Sequence, residues 1–174
     1  MHIASAKVAM MGDKADKSAL ISQFLMNHRV PIQEHNKSTL GADFYLIELK
    51  AVGAEVHLYL WDLNDHESFN TLRKYYLHGT NVFLIVFDLT RPETLDQAYQ
   101  WFEEAKHVNP EASGILIGTN LDLLDEHKIT DATIDKISVD LSWPVILAST
   151  KTGENCEKIL QELTALVEPG LVVV

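Results

Sequence analysis

Residues 12–18 read Gly-Asp-Lys-Ala-Asp-Lys-Ser and join an apolar run to a helical pattern. The apolar run covers residues 3–11, and its length and composition are typical of a buried strand. In residues 18–26 the apolar side chains recur at the spacing of one helix face. The glycine between the two patterns marks a turn. The start of the chain is therefore predicted to be a strand, a short turn and a helix.

The same turn matches a damaged phosphate-binding loop. In the intact pattern, G-x-x-x-x-G-K-[ST], consecutive backbone N–H groups surround phosphate and the second glycine permits a close approach. Gly12, Lys17 and Ser18 are present, but Asp16 stands in place of the second glycine and the loop is one residue short. At ~4 Å, two like charges repel by roughly 1 kcal/mol in water and by about 4 kcal/mol at an effective dielectric constant of ~20. Asp16 therefore opposes a bound phosphate.

Composition indicates one globular domain. The chain has 174 residues, 47% of them hydrophobic and 22% charged, and we expect residues 1–174 to form a single domain. The net charge of −11 argues against nucleic acid as a partner. The single cysteine, Cys156, excludes an internal disulfide and is typical of a reducing compartment. The histidines lack metal-site spacing, and His28 and His35 are interpreted as surface residues of a loop.

The two ends of the chain carry no targeting pattern. The start lacks the basic and apolar regions of a signal peptide, and no apolar run is long enough to span a membrane. Residues 169–174 contain no cysteine, so we expect no lipid anchor in the sequence as printed, although a trimmed chain would look the same. The expected location is cytoplasmic, with attachment to a membrane through a partner as a further option.

Strand and helix patterns alternate along the rest of the chain. After a polar loop at 27–38, the alternating segments 44–50 and 55–61 predict a β-hairpin. Helical patterns and apolar strands then follow each other, with strands at 81–87, 114–118 and 145–148. This alternation predicts an α/β fold whose sheet is mostly parallel, has helices on both faces and has one antiparallel hairpin edge. In such sheets ligands bind at the carboxyl ends of the strands.

Further motifs occur in the order of a known family. Residues 39–44, Thr-Leu-Gly-Ala-Asp-Phe, resemble T-I-G-V-D-F at the end of the first switch of Rab GTPases. Residues 61–69, Trp-Asp-Leu-Asn-Asp-His-Glu-Ser-Phe, resemble W-D-T-A-G-Q-E-R-F of their second switch. The spacing from Thr39 to Asp62 matches the family without a gap. Residues 118–123, Gly-Thr-Asn-Leu-Asp-Leu, resemble the guanine-reading G-N-K-x-D-L.

Residues 75–80, 84–90 and 148–151 also resemble Rab segments, so the likeness covers the chain from Lys7 to about Val167. The chain is thus identified as resembling Rab-like small GTPases of the Ras superfamily, with degenerate P-loop and second-switch motifs. This resemblance implies the P-loop NTPase fold of small G proteins, with a six-stranded sheet and five helices. It also implies GTP or GDP with Mg²⁺ as ligands.

The resemblance assigns roles to single residues. Lys17 would bridge the β- and γ-phosphates, Ser18 and Thr39 would ligate Mg²⁺, and Asp62 would hold the metal through water. Asp122 would accept hydrogen bonds from guanine. Each could instead be an ordinary turn or helix-start residue, but five in register favour the family roles. Further nucleotide contacts are expected at Gly12, Asp16, Asp65, Asn120, Ser149, Thr150 and Lys151.

Other positions depart from the family pattern. Asp65 replaces the switch glycine whose N–H meets the γ-phosphate, which adds a second carboxylate near that anion. His66 takes the catalytic position of the glutamine that orients the attacking water, although an exposed loop histidine is the simpler interpretation. Asn120 replaces the lysine that packs over the base, and Thr119 replaces an asparagine. Thr150 replaces an alanine in a loop that reads guanine through its backbone, so little is lost there.

Three aromatic residues of the family's effector surface are retained: Phe44, Trp61 and Tyr76. They could simply pack into the core of the hairpin and the helix that follows it. Aromatic residues of this kind are, however, enriched at binding hot spots. We therefore expect effector or regulator proteins to bind through this switch surface, while the sequence gives no indication of oligomeric state.

The function predicted from these features is that of a divergent Rab-like small GTPase acting as a regulatory, partner-binding module in vesicle or membrane traffic. Nucleotide binding is expected to be weakened, and GTP hydrolysis poor or absent. Two alternatives stay open. One is a slow but active GTPase switch, and the other is a nucleotide-free pseudo-GTPase scaffold.

Overall fold

The computed structural model describes residues 2–28 and 36–173, apart from the side chains of residues 36–38. These residues form seven strands and five α-helices. The strands are β1 His2–Gly12, β2 Asn36–Thr39, β3 Ala42–Ala51, β4 Ala54–Leu63, β5 Val82–Asp88, β6 Ser113–Thr119 and β7 Val145–Leu147. The helices are α1 Lys14–Asn27, α2 Asn70–Leu77, α3 Glu93–Val108, α4 Asp131–Leu141 and α5 Cys156–Val167. Short 3-10 turns cover Glu67–Phe69 and Leu124–Glu126.

The strands belong to one sheet in the order β2-β3-β4-β1-β5-β6-β7. The pairs from β4 across to β7 are parallel, whereas β3 and β4 form the antiparallel hairpin, with Phe44 opposite Trp61. The predicted α/β class is confirmed, with its mostly parallel sheet, hairpin and five helices.

At the sheet edge, the described part of the chain holds one strand more than the six predicted. β2 pairs antiparallel with β3, with Thr39 opposite Ala42. The polar sequence of β2 lacks the apolar alternation by which strands are recognised, so the pattern alone places it in the loop 27–38. Residues 29–35 of that loop, including His35, lie outside the described residues. His28 is not a surface residue as expected, because its side chain is 15% exposed and its Nε2 lies 3.3 Å from Glu157 Oε2.

Apolar side chains cover both faces of the sheet. Successive residues of a strand face opposite sides, so Val8 and Met10 join the layer beneath α1 and α5, while Ala9 and Met11 join the layer beneath α2, α3 and α4. β5 is buried along its whole length, as expected for a central strand covered by helices on both sides. The carboxyl ends of β1, β4, β5 and β6 therefore meet at one edge, where the candidate site lies. No helix in the described ranges is long and apolar enough to cross a membrane.

Candidate functional site

The connection from β1 to α1 is a capped helix start. α1 begins at Lys14, and the carboxylate of its N-cap, Asp13, accepts a hydrogen bond from the N–H of Ala15 at 3.0 Å. The carbonyl of Asp13 accepts from the N–H of Lys17, also at 3.0 Å. A phosphate loop would offer such N–H groups to an anion. Here the N–H groups of Ala15 and Lys17 donate to Asp13 of the same chain instead.

Gly12 is required by packing between strands. Its φ is +138°, and a Cβ at this position would lie 2.4 Å from the carbonyl oxygen of Val86 on β5. No larger side chain fits such an approach of two backbones. The one intact glycine of the loop motif thus has a structural reason that is independent of nucleotide.

Lys17, the predicted phosphate ligand, is 2% exposed and points to the end of β4. Its Nζ donates to the carbonyl oxygen of Leu63 and lies 2.7 Å from Asp62 Oδ1. Burial raises the pKa of Asp62 above its ordinary value, and Lys17 opposes that rise. The predicted phosphate ligand and the predicted metal ligand therefore satisfy each other, as a nearly buried ion pair.

A second cluster joins the α1 start to the end of β5 through Arg91. Its Nε lies 2.8 Å from Asp88 Oδ2, its Nη2 3.0 Å from Asp16 Oδ2, and its Nη1 3.4 Å from Asp13 Oδ2. Burial raises the pKa of Asp16, and the neighbouring Asp88 and Asp13 raise it further, while Arg91 opposes the rise. The carboxylate that replaces the loop glycine is therefore half-buried and paired within the chain.

Asp88 is the most buried carboxylate that binds Arg91 in this cluster. Burial raises the pKa of its carboxyl group, but hydrogen bonds from Asn120, Arg91 and Thr90 outweigh that effect and hold the pKa below its ordinary value. Asn120, predicted to contact the base, thus bonds Asp88, and no sequence motif points to Arg91. The available signal was indirect: a carboxylate in place of a loop glycine needs a cation, and Arg91 follows the end of a central strand.

The switch residues lie around a small cavity. The Thr39 hydroxyl donates to the carbonyl of Ala42 at 2.8 Å, which closes the turn between β2 and β3. Asp65 and His66 are exposed. His66 caps the following 3-10 turn, with Nδ1 accepting from the N–H of Ser68 at 3.2 Å. The catalytic role predicted for His66 stays a prediction, while its position is that of an exposed loop histidine.

The cavity itself is about 110 Å³, and its walls include Lys17, Thr39, Asp62 and Asp65. Pockets for drug-sized ligands are typically ~300–1,000 Å³. Ser18, the other predicted metal ligand, is exposed on α1 and lies outside these walls. In the described ranges, no three histidine, cysteine or carboxylate side chains are arranged to hold a metal ion. In this arrangement the side chains of Lys17 and Asp62 bind each other, and Ser18 does not line the cavity with Thr39 and Asp62.

On the guanine side, the predicted base contacts Asp122 and Ser149 are hydrogen-bonded to each other. Asp122 Oδ1 accepts from the hydroxyl of Ser149 at 2.6 Å, and this hydrogen bond lowers the pKa of Asp122, with Lys151 contributing. Ser149 is fully buried, and its Oγ also accepts from the N–H of Thr152 at 3.1 Å. A lowered pKa keeps the carboxylate ionised, which is the form that accepts hydrogen bonds from a base.

Neighbouring loops are held by backbone contacts. Asn120 has a positive φ of 64°, and its carbonyl oxygen lies 2.8 Å from His127 Nε2. The carbonyl of Thr150 accepts from Gln23 Nε2 of α1 at 2.5 Å. The structure thus brings Asn120, Asp122, Ser149 and Thr150 to one end of the sheet. The roles assigned to these residues stay predictions.

An aromatic patch, formed by Phe44, Tyr59, Trp61 and Tyr76, covers the hairpin beside the switches. The Phe44 and Trp61 rings are 5.4 Å apart, those of Trp61 and Tyr76 5.3 Å, and those of Phe44 and Tyr59 6.1 Å. Trp61 and Tyr76 also pack against the core beneath them. Sequence reasoning missed Tyr59, although its alternation with Trp61 along β4 places the two on one face.

The sequence model of the Ras family matches residues 7–168. The chain belongs to the Ras family. Among curated relatives, the Ras-related protein RABF2a of Arabidopsis thaliana is 31% identical over 161 residues, which are 91% of this chain and 79% of the relative. Ras-related protein Rab-36 of Homo sapiens is 31% identical over 166 residues, 92% of this chain and 61% of the relative. Ras-related protein SEC4 of Candida albicans is 25% identical over 164 residues, 93% and 77% respectively.

These comparisons confirm the predicted resemblance to Rab-like small GTPases. Ras-family GTPases in general bind GTP or GDP with Mg²⁺. In this member the phosphate side is occupied by the chain's own ion pairs, while the guanine side has its carboxylate and hydroxyl in place.

Proposed function

We propose that this Rab-like chain is a partner-binding module of membrane traffic that binds guanine nucleotides weakly and does not hydrolyse GTP at a useful rate. The observation that carries the proposal is Lys17, whose Nζ is bonded to Leu63 and lies 2.7 Å from Asp62. To reach a phosphate, this ammonium group would have to leave a nearly buried carboxylate. Removing one partner of a buried ion pair costs about 3–5 kcal/mol, so a phosphate has to offset roughly two to four orders of magnitude in affinity.

Charge at the start of α1 supports the same conclusion. Asp13 and Asp16 lie where the loop would meet phosphate, and Arg91 is already bound to both and to Asp88. An incoming triphosphate would compete with three carboxylates for one guanidinium group. Because the N–H groups of Ala15 and Lys17 are also bonded within the chain, little remains there to attract an anion.

The guanine side supports a residual base preference. The carboxylate of Asp122 is oriented by Ser149 and can accept from the two donors that distinguish guanine from adenine. We therefore expect weak binding in which the base contributes more than the phosphates. The exposed positions of Asp65 and His66 support negligible turnover, and no step of hydrolysis is assigned to any residue.

The aromatic patch supports the partner-binding part of the proposal. Phe44, Trp61 and Tyr76 lie together and half-exposed beside the switch segments, which is how anchoring residues are presented at interfaces. Leu40, whose carbonyl accepts from the Tyr76 hydroxyl, is itself 69% exposed. The role in membrane traffic follows from the resemblance to Rab proteins and from the Rab relatives.

A slow but active GTPase remains the second candidate, because Lys17, Thr39, Asp62 and Asp65 all face one cavity. A shift of the Lys17 ammonium group toward that cavity would bring it beside the other phosphate and metal ligands that the resemblance implies. The third candidate is a nucleotide-free scaffold. It differs from the leading proposal only in that the guanine side would bind no base.

Nucleotide extraction and titration distinguish these candidates. The purified chain is denatured, any released nucleotide is identified, and labelled GDP, ADP and GTP are titrated with Mg²⁺ while phosphate release is followed. We expect little co-purifying nucleotide, a GDP Kd weaker than about 1 µM, a preference for GDP over ADP, and no measurable turnover. Stoichiometric co-purification of GTP or GDP contradicts the proposal, and steady phosphate release favours the slow switch.

Partner binding is tested separately with the aromatic patch. Phe44→Ala and Tyr76→Ala should each weaken capture of proteins bound by the parent chain by about thirtyfold or more, since truncating a hot-spot aromatic typically costs ~2 kcal/mol. Val139→Ala, an exposed apolar position on α4, is the matched control. Equal capture by all variants would show that the patch is only part of the core.

A further inference from the structure

Arg73 on α2 belongs to neither side of the site, yet it is only 5% exposed. Its Nη1 donates to the carbonyl of Asn64 at 3.0 Å, its Nη2 to Asn70 Oδ1 at 2.6 Å, and its Nε to Glu104 Oε1 at 3.1 Å. The guanidinium plane also lies 4.7 Å above the Trp101 ring. A buried charge is stable only when it is paired and hydrogen-bonded, and each of the three guanidinium nitrogens donates one hydrogen bond.

These contacts join three parts of the chain. Asn64 follows β4, within the segment that resembles the second switch, and Asn70 begins α2. Glu104 and Trp101 lie on α3, which packs on the sheet and does not belong to either switch. Arg73 therefore fastens the second-switch segment to the helical layer behind it.

The first-switch segment is fastened to the second. The N–H of Asn64 donates to the carbonyl of Gly41 at 2.9 Å, and the hydroxyl of Tyr76 donates to the carbonyl of Leu40 at 2.8 Å. A Cβ at Gly41, whose φ is +83°, would lie 2.9 Å from the Phe69 ring, so the turn lies directly against that ring. Both switch segments and α3 are thus connected by hydrogen bonds within the chain.

A nucleotide can move such segments only by as much as its affinity differs between their two arrangements. Reversing a two-state equilibrium from about 1:99 to about 99:1 requires roughly 10⁴-fold tighter binding to one state. We propose that Arg73 is a positioning residue that holds both switch segments, and the aromatic patch between them, in one conformation whatever nucleotide is present. This inference rests on the proposed function, in that it names how the partner surface is regulated: it is constitutively presented.

Hydrogen–deuterium exchange of the full chain tests the proposal. Peptides covering residues 39–44 and 64–77 are followed in buffer with EDTA, with millimolar GDP and Mg²⁺, and with a millimolar non-hydrolysable GTP analogue and Mg²⁺. Their exchange rates should agree within about twofold in the three conditions, because the contacts that protect them involve no nucleotide. A nucleotide-dependent change in protection of either segment overturns the proposal.

Variants assign the protection to Arg73. Arg73→Lys keeps the charge but loses the planar fork that meets three acceptors, so exchange in residues 64–77 should rise about tenfold or more. Glu104→Gln keeps an acceptor oxygen and should have a smaller effect in the same direction. Lys74→Met changes an exposed neighbour on the same helix and should leave exchange unchanged. If Arg73→Lys exchanges like the parent chain, Arg73 is not the positioning residue.

Two internal measurements keep the outcomes distinct. Protection of β5 and β6 reports global folding, so a variant that loses it is unfolded, and Glu104→Gln then decides: faster exchange in residues 64–77 alone supports the proposal, and unchanged exchange overturns it. The nucleotide titration separates this proposal from the proposed function. Tight GDP binding, with exchange in residues 39–44 and 64–77 unchanged by nucleotide, would contradict weak binding and leave the role of Arg73 intact. Weak GDP binding, with fast exchange in these residues in all three conditions, would contradict only the role of Arg73.

Discussion

The phosphate side and the guanine side of the site satisfy their charges in different ways. On the phosphate side Lys17 and Arg91 are bound by carboxylates of the chain itself. On the guanine side the Asp122 carboxylate is half-exposed and oriented by the Ser149 hydroxyl. The charges of the phosphate side are therefore paired without a ligand, whereas the guanine side leaves a carboxylate acceptor available to a ligand.

This difference shows how a carboxylate in the loop is compensated by a cation of the same chain. A carboxylate at position 16 could not stay half-buried without a cation, and Arg91 supplies it. The same guanidinium group is then committed to the fold and competes with any phosphate. On the guanine side no comparable charge has been introduced, because Thr150 and Asn120 are neutral replacements.

The largest effect is expected when the phosphate-side ion pair is broken. Lys17→Met keeps the side-chain length but leaves Asp62 nearly buried without its cation, for which about 3–5 kcal/mol is typical. Asp62 keeps 11% exposure and has a raised pKa, so it can take up a proton, and we expect the lower end of that range. Urea unfolding without nucleotide measures the loss.

The control for Lys17→Met is a lysine on the other side of the site. Lys151→Met, at an exposed position, should change the free energy of unfolding by less than ~0.5 kcal/mol. Adding Asp62→Asn to Lys17→Met should recover part of the loss, because no buried charge is then unpaired. Equal stability of Lys17→Met and the parent chain would show that the lysine is not held by the fold.

A smaller loss is expected at Arg91, which is 39% exposed and therefore partly screened by solvent. Arg91→Met should destabilise the chain by about 2 kcal/mol, because Asp88 and Asp16 lose their shared cation. In a double-mutant cycle with Asp16→Asn, we expect a coupling free energy of about 1 kcal/mol. Lys128→Met, at an exposed position near Arg91, is the control. Strict additivity of the two changes would show that Arg91 and Asp16 do not interact.

On the guanine side the expected effect is on selectivity. Asp122→Ala should remove the preference for GDP over ADP, a change of about tenfold, since the carboxylate is the acceptor expected to distinguish the two bases. Titration calorimetry with both nucleotides measures it. Asp125→Ala, an exposed carboxylate in the 3-10 turn that follows, should leave the preference unchanged. A preference that survives Asp122→Ala would mean that guanine is read elsewhere.

The smallest effect concerns pH. Burial, with help from Asp88 and Asp13, raises the folded-state pKa of Asp16 above its ordinary value of 3.8. Between these two values the folded chain holds more protons than the unfolded chain, so its stability relative to an Asp16→Asn variant rises as pH falls through that window. Urea unfolding of both proteins from about pH 7 to about pH 4 checks the sign. A difference that does not change with pH would show that Asp16 titrates normally.

Local patterns predicted most of the fold. The apolar run at 81–87 corresponds to β5 Val82–Asp88, and the alternating hairpin segments correspond to β3 and β4. β2 was not predicted, because a polar four-residue edge strand has no periodic signal and is defined by its pairing with β3. The burial of Arg73 could not be predicted either, because an arginine on a short helix is normally a surface residue.

The sequence by itself determined the order of strands and helices, the family and the positions at which the phosphate loop departs from its pattern. These properties depend on neighbouring residues and on motif spacing, which can be read along the chain. Only the tertiary structure decided that Lys17 is bound by Asp62 and Leu63, and Asp16 by Arg91. Lys17 and Leu63 are 46 positions apart, and Arg91 and Asp16 are 75 positions apart. These residues become partners because the carboxyl ends of the parallel strands lie side by side in the sheet. Local propensity carries no information about which strand ends are neighbours.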